Sequence, residues 1–139
     1  MLVRDRMSTH PVTILSDADY KEALRLMQDH ALHHVPVLDA ARKLVGIVAE
    51  RDLLLAASHH LQSAIEIAEV MHRSVTTATP EMPIAEAAAL MVDNRIGGLP
   101  VVDESGHVLG VITETDIFRA FVETERQRGA AAKRVEFPR

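Results

Sequence analysis

At 139 residues the chain has room for one compact domain, or for two half-sized units sharing a core. A net charge of -5 argues against a nucleic-acid binder, which carries a basic face, and the absence of cysteine excludes disulfide and thiolate chemistry. The N-terminus lacks an apolar signal core and no apolar run nears the ~20 residues that span a bilayer, so a cytoplasmic protein without membrane or nucleic-acid partner is expected.

Residues 3–7 read as a short helical turn leading into Thr9-His10-Pro11. Val12-Thr13-Ile14 reads as a brief strand, closed by Ser16-Asp17 as a helix-start signal. From Asp19 to Ala31 the apolar residues Tyr20, Ala23, Leu24, Met27 and Ala31 keep helical spacing with one buried face. Leu32-His33-His34 leaves that helix, Val35 to Leu38 forms a strand with Pro36 near its start, and Asp39 to Lys43 turns the chain. Leu44 to Val48 is the next strand and Glu50 to about Ala57 a helix. Ser58 to Ser63 reads as a polar connector with His59 and His60 in solvent, and Ile65 to Met71 as another short helix. The order then repeats, with Val75-Thr76-Thr77 a strand, Thr79-Pro80 a helix start, Ile84 to Arg95 an Ala-rich helix and Gly97-Gly98 a tight exit. Leu99 to Val102 is a strand, Ser105-Gly106 a hairpin turn and Val108 to Ile112 a strand. A last helix runs from Glu114 to about Gln127, and Gly129 to Arg139 reads as a frayed tail.

A fixed offset of 64 residues carries Met7 to Met71, Ala23 to Ala87, Met27 to Met91, Pro36 to Pro100, Asp39 to Asp103, Gly46 to Gly110 and Asp52 to Asp116. About fifty residues align without an insertion and 14 of them are identical, well above chance for one offset, so the chain is an internal duplication. The first unit is placed at 1–60, the second at 61–124, and the end of the last helix with its tail at 125–139. Each unit is too small to bury its own sheet face. The pattern therefore predicts an α/β (α+β) fold, with two tandem β-α-β-β-α units packed sheet to sheet around a pseudo-two-fold axis. The strand-to-helix corner recurs as Gly46-Ile47-Val48-Ala49-Glu50-Arg51-Asp52 and Gly110-Val111-Ile112-Thr113-Glu114-Thr115-Asp116. Thr113 can cap its helix and Asp116 suits the helix dipole. A corner duplicated with its Asp points past capping to two related ligand sites.

These corners, with Val35-Pro36-Val37-Leu38-Asp39, Leu99-Pro100-Val101-Val102-Asp103 and the lead-in Val3-Arg4-Asp5-Arg6-Met7-Ser8, resemble a tandem CBS-domain pair, the Bateman module. The resemblance covers residues 3 to about 122 and is nearest to stand-alone bacterial CBS pairs of the acetoin-utilisation type, which leads to the expectation of a pair without an attached catalytic or transport domain. It implies two clefts for adenosine-containing ligands, in which the motif Asp accepts from the ribose hydroxyls and the Thr/Ser faces phosphate. It also implies that the opposite unit supplies a strand against the adenine and a loop against the phosphates. One cleft would then use Val111, Thr113, Thr115 and Asp116, facing Pro11, Val12, His33, His34, Val35 and Pro36. The other would use Ile47, Ala49, Arg51 and Asp52, facing Val75, Thr76, Gly97, Gly98, Leu99 and Pro100. The Asp116 cleft has the full motif and a His pair able to donate to phosphate, whereas Ala49 lacks the hydroxyl of the motif. The Asp116 cleft is expected to bind tighter.

No nucleophile–base–orienter set can be assembled, and Gly97-Gly98 lacks the Gly-Lys-Ser/Thr of a phosphate loop, so an enzyme is not expected. His30, His33 and His34 find no carboxylate or cysteine in a recognisable ligand pattern, so no metal and no required cofactor are expected. An adenine nucleotide (AMP, ADP or ATP) as regulatory ligand, a homodimer through helix faces such as that of Ile117, Phe118, Phe121 and Val122, and an unidentified effector protein complete the expectation. A ligand-free interaction module and a sensor of S-adenosylmethionine or a dinucleotide stay open beside it.

Overall fold

In the computed structural model, which describes residues 1–59, 64–127 and 134–139, the first unit runs β1 (Ile14–Leu15), α1 (Tyr20–His30), β2 (His34–Leu38), β3 (Leu44–Ala49) and α2 (Glu50–His59). A short helix α3 (Ile67–Val70) precedes α4 (Ile84–Asn94), β4 (Gly98–Val102), β5 (Val108–Thr113) and α5 (Glu114–Arg126). Asp19, rather than Ser16 or Asp17, caps α1 by accepting from the Lys21 amide. Tyr20, Ala23 and Met27 form its buried stripe. Helices α1 and α4 both close on a left-handed residue, Ala31 and Arg95, which are equivalent in the repeat.

Each unit's centre is a hairpin. β2 lies antiparallel to β3 with His34 opposite Ala49 and Val37 opposite Gly46. β4 and β5 repeat this, with Gly98 opposite Thr113 and Val101 opposite Gly110. The first hairpin gains β1 in parallel on β2. The strand expected at Val75-Thr76-Thr77 does not form; a single parallel bridge from Ala78 to Val101 stands in its place. Likewise the first strand is Ile14–Leu15 and leaves out Val12 and Thr13. The reason is the same in both units, because residues 9–13 and 73–77 cross from one unit to the other and lie outside either ladder. One helix start moves, since α3 begins at Ile67 rather than Ile65; α4 begins at Ile84 as expected, capped by Pro83 and not by the start signal at Thr79-Pro80. Ser58 and His59 end α2 instead of opening the connector, and the rest of the connector (60–63) and residues 128–133 of the tail lie outside the described residues.

The units exchange their lead-in segments. The 3-10 turn Val3–Asp5 sits on the second unit, where the Val3 amide donates to Met82 O at 2.8 Å and Arg4 to Pro80 O at 3.0 Å. Ser8 and Val111 then donate to each other's carbonyls at 2.9 and 3.0 Å. In mirror fashion the Ile67 and Ala68 amides donate to Ala18 O and Ser16 O, and Ile47 and His72 exchange bonds at 2.9 and 2.8 Å. Adding 64 to Ser8 gives His72, and adding it to Ile47 gives Val111, so one bridge is the image of the other. Lys43 pairs antiparallel with His107, its own counterpart, as residues on a two-fold axis must.

The expectation of one shared core gives way to two apolar clusters. Val35, Val37, Val48, Leu53 and Met27 build the first and Leu99, Val101, Ile112 and Met91 the second. Each is completed from outside its own unit, the first by Ile65 and Ile67 and the second by Val3. The shortage of apolar surface in a small unit is met by this exchange. It also explains the repeated glycines. A β-carbon on Gly110 would lie 2.2 Å from Ser8 O, and one on Gly46 would lie 2.7 Å from Met71 Sδ and 2.8 Å from His72 O. Arg6 adds an ion pair from the lead-in to Glu123 of α5 and, by hydrogen bonding, holds that carboxyl below the usual carboxylate range.

Candidate functional site

Both corners place an acid in the first turn of a helix, and the two acids are held differently. In the second unit, β5 ends at Thr113, whose extended backbone turns the chain into α5. The Thr113 amide donates to Asp116 Oδ2 at 2.9 Å and its hydroxyl donates to the same oxygen at 3.0 Å. Thr113 Oγ1 in turn accepts from the Asp116 amide at 3.4 Å, closing a reciprocal cap. The cap uses Oδ2, and Asp116 is only half-buried, so its carboxylate has acceptor capacity to spare for a ligand. Thr115 beside it is exposed.

In the first unit Ala49 takes the place of Thr113 and offers no hydroxyl. The acid there meets a different partner: His72 Nε2 lies 2.7 Å from Asp52 Oδ2. Since an ionised carboxylate can only accept, the imidazole nitrogen is the donor. Arg51 is exposed on the same turn.

The loops entering β2 and β4 lie against these corners. The Glu50 amide donates to His33 O at 2.9 Å, and its carboxylate reaches His33 Nδ1 at 3.7 Å. The Glu114 amide donates to Gly97 O at 3.0 Å, with its carboxylate over that glycine. His33 and His34 are exposed, Gly97 exposed and Gly98 half-buried. Thus His33 and His34 join Glu50 and Ala49 of their own unit, and Gly97 and Gly98 join Glu114 and Thr113 of theirs. Among the described residues no direct hydrogen bond links the His pair to Thr113 or Asp116.

What spans the units is the crossing backbone. Ser8 is fixed to Val111, two residues before Thr113, and Ile14 is fixed to Val37 of the first unit. Pro11 and Val12, both half-buried, lie on the path between them. Val75 and Thr76 lie on the matching path from His72, on Ile47, to Ala78, on Val101. Val35 and Leu99 are wholly buried in the two cores and Pro36 and Pro100 are buried in their strands, so these four offer a ligand little beyond backbone. His72 and Glu50 were not read as site residues from the sequence. The repeat held the one available signal, because the equivalent methionines Met7 and Met71 immediately precede Ser8 and His72. Among the described residues no helix is long and apolar enough to cross a membrane.

The CBS domain family model matches this chain twice, over residues 3–59 and 67–123. The chain is similar to a Vibrio cholerae structure named for acetoin utilization (AcuB), with 36% identity, TM-score 0.81, and 95% of this chain and 98% of that one covered. It is similar to the CBS domain pair of protein MJ0100, solved with 5′-methylthioadenosine and S-adenosyl-L-methionine, at 35% identity and TM-score 0.77 over 89% of this chain and 98% of that one. CBSX2 in complex with AMP is a third likeness, at 26% identity and TM-score 0.80 over 90% and 98%. The chain spans only 23% of the length of a curated relative, the L-aspartate semialdehyde sulfurtransferase of Methanocaldococcus jannaschii, to which it is 36% identical over 120 residues.

Proposed function

We propose a regulatory function for this chain, which belongs to the CBS-domain family and carries two copies of the domain in tandem. It binds an adenosine-containing ligand, an adenine nucleotide such as AMP, ADP or ATP, in clefts between units placed at 1–60 and 61–124. The observation that carries this reading is the crossing backbone. Each Asp corner is joined by five residues to the sheet of the other unit, so a ligand seated on the corner and the crossing segment touches both units. Such a ligand favours one relative arrangement of the units over others, which is what a sensor requires. AMP on CBSX2, and S-adenosyl-L-methionine with 5′-methylthioadenosine on MJ0100, support the ligand class.

The clefts are unequal in this reading. Thr113 keeps a hydroxyl beside Asp116, while Ala49 has none beside Asp52. A lost hydrogen bond to a charged group costs about 1.5–3 kcal/mol, roughly tenfold to a hundredfold in affinity. The Asp116 cleft therefore fills first, with the half-buried Pro11 and Val12 against the base and His33 and His34 toward the phosphates. The output is the rearrangement of a homodimer or an effector protein in the cytoplasm, not catalysis. Phe118 (64% exposed) and Phe121 (63%) on α5, with Leu54 and Leu55 on α2, give such a partner an apolar surface.

Isothermal titration of nucleotide-stripped protein with AMP, ADP, ATP and S-adenosylmethionine tests the proposal, repeated on Asp116→Asn and Asp52→Asn. Asn keeps an acceptor oxygen for the Thr113 amide, so a site lost at Asp116 is not a lost helix. Saturable binding lost mainly in Asp116→Asn supports unequal nucleotide clefts. Preference for S-adenosylmethionine replaces the ligand, and silence from all four leaves a ligand-free interaction module.

A further inference from the structure

The two corners differ in one respect that the missing hydroxyl does not explain. His72 is held by its backbone, its amide and carbonyl both bonded to Ile47, so the position of its Cα is fixed by the lead-in exchange. That places the imidazole over the first turn of α2, with Nε2 2.7 Å from Asp52 Oδ2, a short charge-assisted contact. The equivalent residue in the other unit is Ser8, fixed by the same two bonds to Val111, and there the acid turns to Thr113 instead. The His72 side chain is 64% exposed and has open solvent to swing into.

Resting on the ligand reading above, we propose that His72 is an internal competitor in the second cleft. Its imidazole takes up one of the two carboxylate oxygens open to the ribose hydroxyls of a ligand, and the full acceptor set is restored when His72 turns outward. While His72 stays in place, a ligand is left with Oδ1 and whatever of Oδ2 the imidazole does not use. The apparent affinity at Asp52 is lowered by the fraction of molecules in which His72 has vacated it. A surface-accessible pair of this kind is expected to reduce binding by about tenfold, below the full strength of a charged hydrogen bond because water screens it. His72 thus sets the order of filling, with the first ligand taken at Asp116 and the second only at higher concentration.

The test is a two-step AMP titration on the wild type, His72→Ser, and His72→Ser combined with Asp52→Asn. Serine copies the residue at the equivalent position and keeps the backbone pairing to Ile47, which thermal unfolding checks. The expected result is a second step about tenfold tighter in His72→Ser than in the wild type, with that gain abolished when Asp52→Asn is added. A second step unmoved by His72→Ser while the first step is present overturns the competitor. A gain that survives Asp52→Asn overturns it as well, since the benefit would then come from elsewhere. Absence of both steps in the wild type and in His72→Ser removes the nucleotide reading itself and the competitor with it. The imidazole 15N shift of His72 gives a ligand-free readout. It should change on Asp52→Asn, and an unchanged shift counts against the pair.

Discussion

Replacing Gly110 by alanine would drive a β-carbon into the backbone of Ser8. The nearest atom, Ser8 O, would be 2.2 Å away, and Ser8 C 3.2 Å. An ordinary contact begins near 3.4 Å, so the lead-in must retreat by about 1 Å. That retreat opens the Ser8–Val111 pair, whose bonds are 2.9 and 3.0 Å long. Two backbone hydrogen bonds are worth about 0.5–1.5 kcal/mol each, and forced overpacking costs about 1–3 kcal/mol. Relief of strain as the lead-in detaches limits the sum, so a loss of about 2–4 kcal/mol is expected. At roughly 4 °C per kcal/mol this lowers Tm by about 8–16 °C. Gly98→Ala is the internal control, because its β-carbon would meet Ile112 O at 3.4 Å and should cost under about 1 kcal/mol. Urea unfolding gives the energies, and hydrogen exchange at the Ser8 and Val111 amides locates the damage. If Gly110→Ala unfolds with the wild type and both amides stay protected, the close approach is not what requires glycine there.

Three further outcomes follow from particular contacts. Thr113→Val removes the cap oxygen and should cost about 1 kcal/mol in urea unfolding, while Thr113→Ser should cost far less; equal stability of the two would refute the cap. Asp103 accepts from the His107 and Ser105 amides at 3.0 and 2.9 Å, which hold its carboxyl below the ordinary range despite partial desolvation. Its stabilising contribution is therefore complete above the unfolded pKa and lost as pH falls through the lower folded value; an NMR titration midpoint at or above the ordinary ~3.9 would contradict this. Phe118→Lys with Phe121→Lys should convert a dimer to monomer in sedimentation equilibrium, and an unchanged mass would move the partner surface away from α5.

The hairpins were legible because Val35-Pro36-Val37 and Leu99-Pro100-Val101 are short apolar runs closed by turn chemistry at Asp39 and at Ser105-Gly106. Local rules decide such elements. The cap at Thr113 was legible for the same reason, since its partner is three residues away. Val75-Thr76-Thr77 misled because β-branched residues favour a strand only where a neighbour is in reach, and here the backbone is committed to crossing between units. The division into two cores was hidden too. It depends on Val3 docking on the second unit and Ile67 on the first, a choice of tertiary packing that periodicity does not encode. His72 was invisible for a related reason. Nothing in its neighbours predicts Asp52, 20 residues earlier, until Ile47 has fixed its backbone.

The traded lead-ins make each half of the chain hold something the other lacks. Because every bridge between halves has its image 64 residues on, and Lys43 meets its own counterpart His107, the covalent connector adds proximity rather than pattern. The architecture is that of a two-subunit embrace written on one chain. A polypeptide cut between His59 and Ala64 would yield two fragments, each a poor fold alone, that complete one another on mixing. The tether sets the effective concentration at which they find each other, and dilution of the cut protein would reveal how much of its stability is merely local.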